Sequence, residues 1–163
     1  MALLQIYNGA RPTTAVLPSV STGTSIKTML QVLCDRKIRI VEWGISHDGA
    51  STVRMQAELL TTGTVAATVT AAVENDIVNF GDPDGTASTN LGLTLSTTGT
   101  GYTASGEGSI AASRLFDHQQ SLNQYVKQFP LGREPVTNHD DVLRIRVHSD
   151  TDVNATCYVT IEV

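Results

Sequence analysis

A chain of 163 residues with 40% hydrophobic side chains has the length of one domain and enough apolar content for a core that needs no staples. Only 17% is charged; the difference is filled by Ser, Gly and 22 threonines, and so β-branched a chain is not a disordered one. A net charge of -5 with only three Lys disfavours a nucleic-acid partner, and no apolar run approaches the roughly 18 residues of a membrane span.

Residues 1–20 carry two prolines and little charge, and read as an extended N-terminal arm ahead of a single β domain over 21–163. The start lacks the basic, long-apolar pattern of a secretory leader, so synthesis in a cytoplasm is expected. Ile26 to Leu33 and Lys37 to Ser46 read as a strand pair. In the second, the apolar phase changes at Ile40-Val41, which requires either two covered faces or a bulge. His47-Asp48-Gly49 supplies a turn, and Thr52 to Leu60 alternates as the next strand.

Two stretches without charge follow, Leu59 to Val73 and Gly85 to Gly106. The second opens on the turn signal Asp82-Pro-Asp-Gly85 and reads as a long loop with one short strand at Leu91 to Leu95. Missing charges leave such edges unprotected, so the stretch is either covered by a neighbouring surface or loose. Asp117 to Pro130 fits two patterns. Leu122, Tyr125, Val126 and Phe129 have helical spacing with Asp117 as cap, whereas Tyr125, Lys127 and Phe129 alternate as in a strand; the sheet-rich context favours strand. Val142 to His148 alternates with Leu143, Ile145 and Val147 on one face and Arg144, Arg146 and His148 on a wet face. Asn154 to Glu162 behaves alike, and the turn between suggests a hairpin. Eight or more short strands without a long helix define an all-β chain, an antiparallel β-sandwich or jelly-roll-like barrel.

Chemistry-bearing motifs are weak. Asp150-Thr-Asp-Val-Asn154 begins like a calcium loop but has Ala155 at the sixth position and Ile161 at the twelfth. Asn138-His-Asp-Asp141 and His47-Asp48 have no metal-ligand spacing, and read as solvated turns. Ser46, His47 and Asp48 are sequence neighbours whose side chains diverge, so they form no relay. Glu42 and Glu58 form a carboxylate pair only if strands align them. Cys34 and Cys157 read as small buried hydrophobes; a bridge between them is disfavoured in a reducing compartment. Trp43, between Val41 and Ile45, reads as core rather than as a sugar platform. No catalytic residue, cofactor site or metal site is expected. A hydrolase survives only if His47, His118, His139 and nearby Asp residues meet in space.

The ordered string carries more. Ser21-Thr-Gly-Thr-Ser-Ile-Lys-Thr-Met-Leu-Gln-Val-Leu33 leads to Ile40-Val-Glu-Trp-Gly-Ile-Ser-His-Asp-Gly49 and Ala57-Glu-Leu-Leu60. Later come Phe129-Pro-Leu-Gly-Arg-Glu-Pro-Val136 and Leu143-Arg-Ile-Arg-Val147. This succession resembles small virion proteins of tailed bacteriophages, especially those of actinobacteria, similar in role to head decoration (capsid cement) proteins. The resemblance spans about half the chain and holds no catalytic motif. It implies a capsid-surface protein that binds the major capsid protein and associates as a homotrimer. The rival reading is a tail or fibre-tip module that binds a host glycan through Trp43, Tyr102 or Tyr125.

Overall fold

The computed structural model describes residues 1–82, 85–121 and 123–163. Among them the chain forms antiparallel strands and two short 3-10 turns, at Glu74–Asp76 and Ser88–Leu91, and no α-helix. Sheet A has the order β10 (Gln124–Gln128), β4 (Ile38–His47), β13 (Asn154–Glu162), β1 (Leu3–Tyr7) and β7 (Ile77–Asn79). The two-residue strands β2 (Val20–Ser21) and β11 (Val136–Thr137) add to β13 and β4. Sheet B has the order β6 (Thr68–Ala71), β8 (Gly101–Gly106), β3 (Lys27–Val32), β12 (Leu143–Ser149), β5 (Met55–Thr61) and β9 (Arg114–Ser121).

The architecture is the expected β-sandwich, and period-two patterning builds its core. Ile6, Trp43 and Val159 of sheet A pack with Met29, Leu59 and Ile145 of sheet B in one buried cluster. The phase change in β4 is a bulge: Thr160 pairs with Glu42 but Ile161 with Ile40, leaving Val41 as the extra residue. That insertion turns Ile38, Ile40, Trp43 and Ile45 all into the core. Residues 117–121 and 124–128 are strands, as the context favoured, with Leu122 outside the described residues.

Several neighbour relations differ from expectation. β12 and β13 do not form a hairpin: β12 lies between β3 and β5, and β13 lies between β4 and β1. β3 and β4 likewise belong to opposite sheets. Alternation says which face of a strand is dry, and a strand in either sheet of a sandwich satisfies it equally. The arm over 1–20 is also corrected. Leu3–Tyr7 is a strand between β13 and β7, with Leu4 and Ile6 fully buried. Only residues 10–19 run largely exposed, as a strap pinned at both ends by β1 and β2. The backbone N–H of Arg11 donates to Asp76 at 2.8 Å within it.

The short strand expected at Leu91 to Leu95 is a 3-10 turn followed by single bridges, Leu93 with Cys34 and Leu95 with Thr100. Glu74 causes this: its carboxylate accepts the N–H groups of Ser88 at 2.8 Å and Thr89 at 3.0 Å, and the Ser88 hydroxyl at 2.9 Å. Gly92, at φ 96°, then redirects the chain. Of the turn signal Asp82–Gly85, Pro83 and Asp84 lie outside the described residues. The uncharged stretch is thus neither loose nor wholly dependent on a neighbour, since Thr100 is buried and its hydroxyl accepts the Leu33 N–H at 3.0 Å.

Nor is the outer face of sheet B uniformly wet. Arg144 is 0% exposed. Its guanidinium donates to the Glu107 carbonyl at 2.9 Å, to the Glu107 carboxylate at 3.2 Å and to the Val65 carbonyl. The same carboxylate takes the N–H and hydroxyl of Thr28, each at 2.5 Å. A buried charge persists only with such a shell around it.

Candidate docking surface

The structure keeps the titratable residues of the sequence reading apart. His47 is buried at the end of β4, where its Nδ1 accepts the Gly49 N–H at 3.2 Å. His118 lies opposite Glu58 on β9, in the other sheet, and His139 sits in a loop against Asp140 at 3.0 Å. Among the described residues, no group of three or more His, Cys, Asp or Glu stands close enough to hold a metal ion. Glu42 accepts the Tyr158 hydroxyl at 2.5 Å on sheet A, whereas Glu58 pairs with Arg146 on sheet B. These two carboxylates therefore belong to different sheets and share no site. Cys34 and Cys157 are free and buried, and burial pushes both thiols up, away from the reactive thiolate.

Asp152 of the calcium-like turn and Asp48 of the His47-Asp48 turn are both engaged within the fold. Asp152 takes the Ser21 hydroxyl at 2.7 Å and the Gly23 N–H at 2.9 Å. Asp48 takes both the side-chain amide and the backbone N–H of Asn154, each at 2.9 Å. Those bonds hold both carboxyls below the ordinary aspartate range.

Trp43 is core, as read, but its indole N–H finds a partner that the sequence did not announce. It donates to Asp117 at 3.0 Å, and the same carboxylate takes the Tyr125 hydroxyl at 2.9 Å, Lys127 at 3.2 Å and Gln119 at 3.4 Å. Asp117 stands opposite Leu59 and points inward from β9, while Tyr125 and Lys127 point inward from β10. The cluster clasps the β9 edge of sheet B to the β10 edge of sheet A. Tyr125, one of the aromatic residues considered for glycan contact, is thereby committed to structure.

Two outer surfaces among the described residues are of most interest for a partner. The first is an open groove of about 540 Å³ at one end of sheet A. Met1, Leu3, Val41, Phe129 and Leu131 supply its apolar lining, with Arg39, Glu134 and Glu162 among them. Its tip is the turn Pro130–Arg133, closed by Arg133 N–H to Pro130 carbonyl at 2.9 Å, with Gly132 at φ 79°. That geometry projects Leu131 into solvent, 97% exposed. The second is the middle of sheet A, where Tyr158 lies over Gly44; a Cβ on Gly44 would stand 2.6 Å from the ring. Tyr7 adjoins it, with ring centroids 5.7 Å apart and planes tilted by 42°. Burial and Glu42 together push the Tyr158 hydroxyl well above its ordinary range.

No family model matches this chain, and no curated protein matches it. The molecule is defined by its fold, a two-sheet antiparallel β-sandwich, and by these exposed surfaces. Sequence reading placed Trp43 and the cysteines correctly but missed Leu131. The Pro-Leu-Gly-Arg string is a turn signal with an apolar residue at its tip, and that signal was available.

Proposed function

We propose that this protein is a structural virion component that decorates and stabilises a bacteriophage capsid by binding the major capsid protein lattice. It acts by contact and not by catalysis, on the capsid surface, after synthesis in the host cytoplasm. The observation that supports this reading most is the Leu131 turn. The segment Phe129–Val136 belongs to the blocks that resemble decoration proteins, and it lines the apolar groove with Leu131 almost wholly in solvent. An apolar side chain held at the tip of a rigid turn is suited to a pocket on another protein. Repetition on a shell multiplies a modest single contact.

The test is binding of the purified protein to undecorated capsids. Wild type should saturate the shell, and Leu131→Asp should weaken binding at least tenfold with no change in melting temperature. Absence of wild-type binding overturns the reading. Deleting residues 2–18 is a poor test, because it removes the buried Leu4 and Ile6. Replacing residues 12–18 with Gly and Ser probes the strap alone.

One observation favours the second reading, a tail or fibre-tip module for a host glycan. The Tyr7–Tyr158 pair forms a bent aromatic platform on the outer face of sheet A. Immunogold labelling separates the two: label over the head supports decoration, and label at the tail end supports the glycan module.

A further inference from the structure

We propose that the outer face of sheet B holds a docking pocket for an acidic side chain of a partner protein, and that His118 and His148 tighten its grip as pH falls. This inference does not rest on the capsid reading, and it concerns the other sheet from the Leu131 groove. Two of the four histidines are engaged within the fold, His47 with the Gly49 N–H and His139 with Asp140. The rings of His118 and His148 make no hydrogen bond among the described residues. Both line one pocket of about 110 Å³, with Ile26, Gln56, Glu58 and Arg146.

Strand register builds the pocket. Residues two apart on a strand share a face, so three neighbouring strands turn their outward positions to one spot. His118 on β9 stands opposite Glu58 on β5, and Glu58 stands opposite Arg146 on β12. Two positions along the same face, Gln56 stands opposite His148. Arg146, with its side chain 18% exposed, gives Nε to the Glu58 Oε1 at 2.7 Å and Nη2 to the same atom. Its Nη1 group and the Gln56 amide have no partner among the described residues. A protonated imidazole offers two N–H groups and no acceptor, so donors then prevail in the pocket.

Size and charge name the occupant. A water's share of the liquid is about 30 Å³, so the pocket holds a few waters and takes a side-chain tip, not a whole sugar. A carboxylate is the side-chain tip that accepts from guanidinium and imidazolium donors. Exposed Ile26 offers apolar contact to the methylene behind it. The charges around the imidazoles are Arg146 on β12, Lys27 on β3 and Arg54 ahead of β5, against Glu58 on β5 and Asp150 and Asp152 after β12. On β9 itself, Asp117 points inward and Arg114 is turned to the Val136 carbonyl. The surrounding charges balance, so protons on the two imidazoles set the sign of this face. Histidines take up that proton as pH falls through about 6.5, whereas exposed aspartates, with an ordinary value near 3.9, stay ionised.

NMR of the purified protein, following the histidine rings, tests this with hexa-aspartate as the probe. At pH 5.5 the peptide should move the ring signals of His118 and His148 in a saturable way, and hexa-asparagine should leave them in place. Affinity for a fluorescent hexa-aspartate should fall at least fivefold between pH 5.5 and pH 8. The double variant His118→Gln with His148→Gln should lose that dependence at unchanged melting temperature; either single variant serves where the pair is less stable. The proposal is overturned if hexa-aspartate leaves both rings unmoved, if hexa-asparagine moves them equally, or if the pH dependence survives both substitutions. It is overturned also if inorganic phosphate at equal concentration moves the rings as far, which makes the pocket a small-anion site. Each result is obtained without capsids, so failure here and failure of capsid binding are told apart.

Discussion

At the β9 end of sheet B, one buried carboxylate is held by donors from three strands, Trp43 on β4, Gln119 on β9 and Tyr125 and Lys127 on β10. At the β6 end, the outermost strand is Thr-Val-Thr-Ala, without a charge on it. The first edge is sealed to the opposite sheet by charge-assisted hydrogen bonds, and the second is ordered from behind, by backbone pairing to β8 and by buried Ala67, Val69 and Ala72. The difference separates two ways of finishing a sheet edge: one is clasped by a buried charge and its donors, and the other by neutral contacts, the Val69 N–H donating to the Thr97 carbonyl at 2.8 Å.

The largest effect that would break this contrast is expected at the sealed end. Asp117→Ala removes a shared acceptor and strands the Trp43 and Tyr125 donors beside the core. Removing one partner of such a buried charged set costs about 3–5 kcal/mol, read as a lower urea midpoint at unchanged slope. A loss below about 1 kcal/mol would show that apolar contact alone closes this edge.

Exchanging Gly44 for Ala gives an intermediate effect, away from both ends. The new Cβ would stand 2.6 Å from the Tyr158 ring, so the ring must lift and loosen its bond to Glu42. Overpacking of this kind costs about 1–2 kcal/mol. At the β6 end, Thr70→Val at its exposed position should move fold stability by no more than about 0.5 kcal/mol in the same urea assay. A cost comparable to that at Asp117 would make the β6 edge structural and end the comparison.

Acidity sharpens it further. Burial alone would raise the Asp117 carboxyl, but hydrogen bonds from Tyr125, Lys127, Trp43 and Gln119 outweigh it and hold the group below its ordinary value of 3.8. A carboxyl depressed in the fold contributes stability that is present above its unfolded value and lost as pH falls through its folded value. Urea midpoints taken downward from pH 3.8 should therefore fall more steeply for wild type than for Asp117→Asn. Tyr125 acts at the other extreme. Its hydroxyl, pushed up to about 12 by burial and by Asp117, contributes stability that fades as pH rises from 10 toward that value.

Much of this was legible in the residues. Alternation in 142–148 and 154–162 marked two strands, and the phase change at Ile40-Val41 called for either two covered faces or a bulge, of which the structure has the bulge. Neighbour relations were not legible. In a sandwich, a turn as short as 150–153 passes between sheets as readily as along one, because both leave the same face dry. Asp117 escaped for a related reason. Its role depends on Trp43, 74 positions away, and on two successive strands, β9 and β10, that go to opposite sheets. A lone Asp in an alternating run carries no mark of what it will face. Leu131, by contrast, was missed although its signal, an apolar residue inside a turn string, is local and stands in the sequence.

The placement of β13 also governs how the molecule comes into being. It is the bridge between β4 and β1, and it is made after both. Until it leaves the ribosome, β1 has only β7 beside it, and β4 has only β10 and β11. The nascent chain therefore carries two half-built fragments with pairing groups bare along their inner margins, and one late insertion closes them both. Sheet B faces no such wait, since the last of its strands, β12, precedes that step.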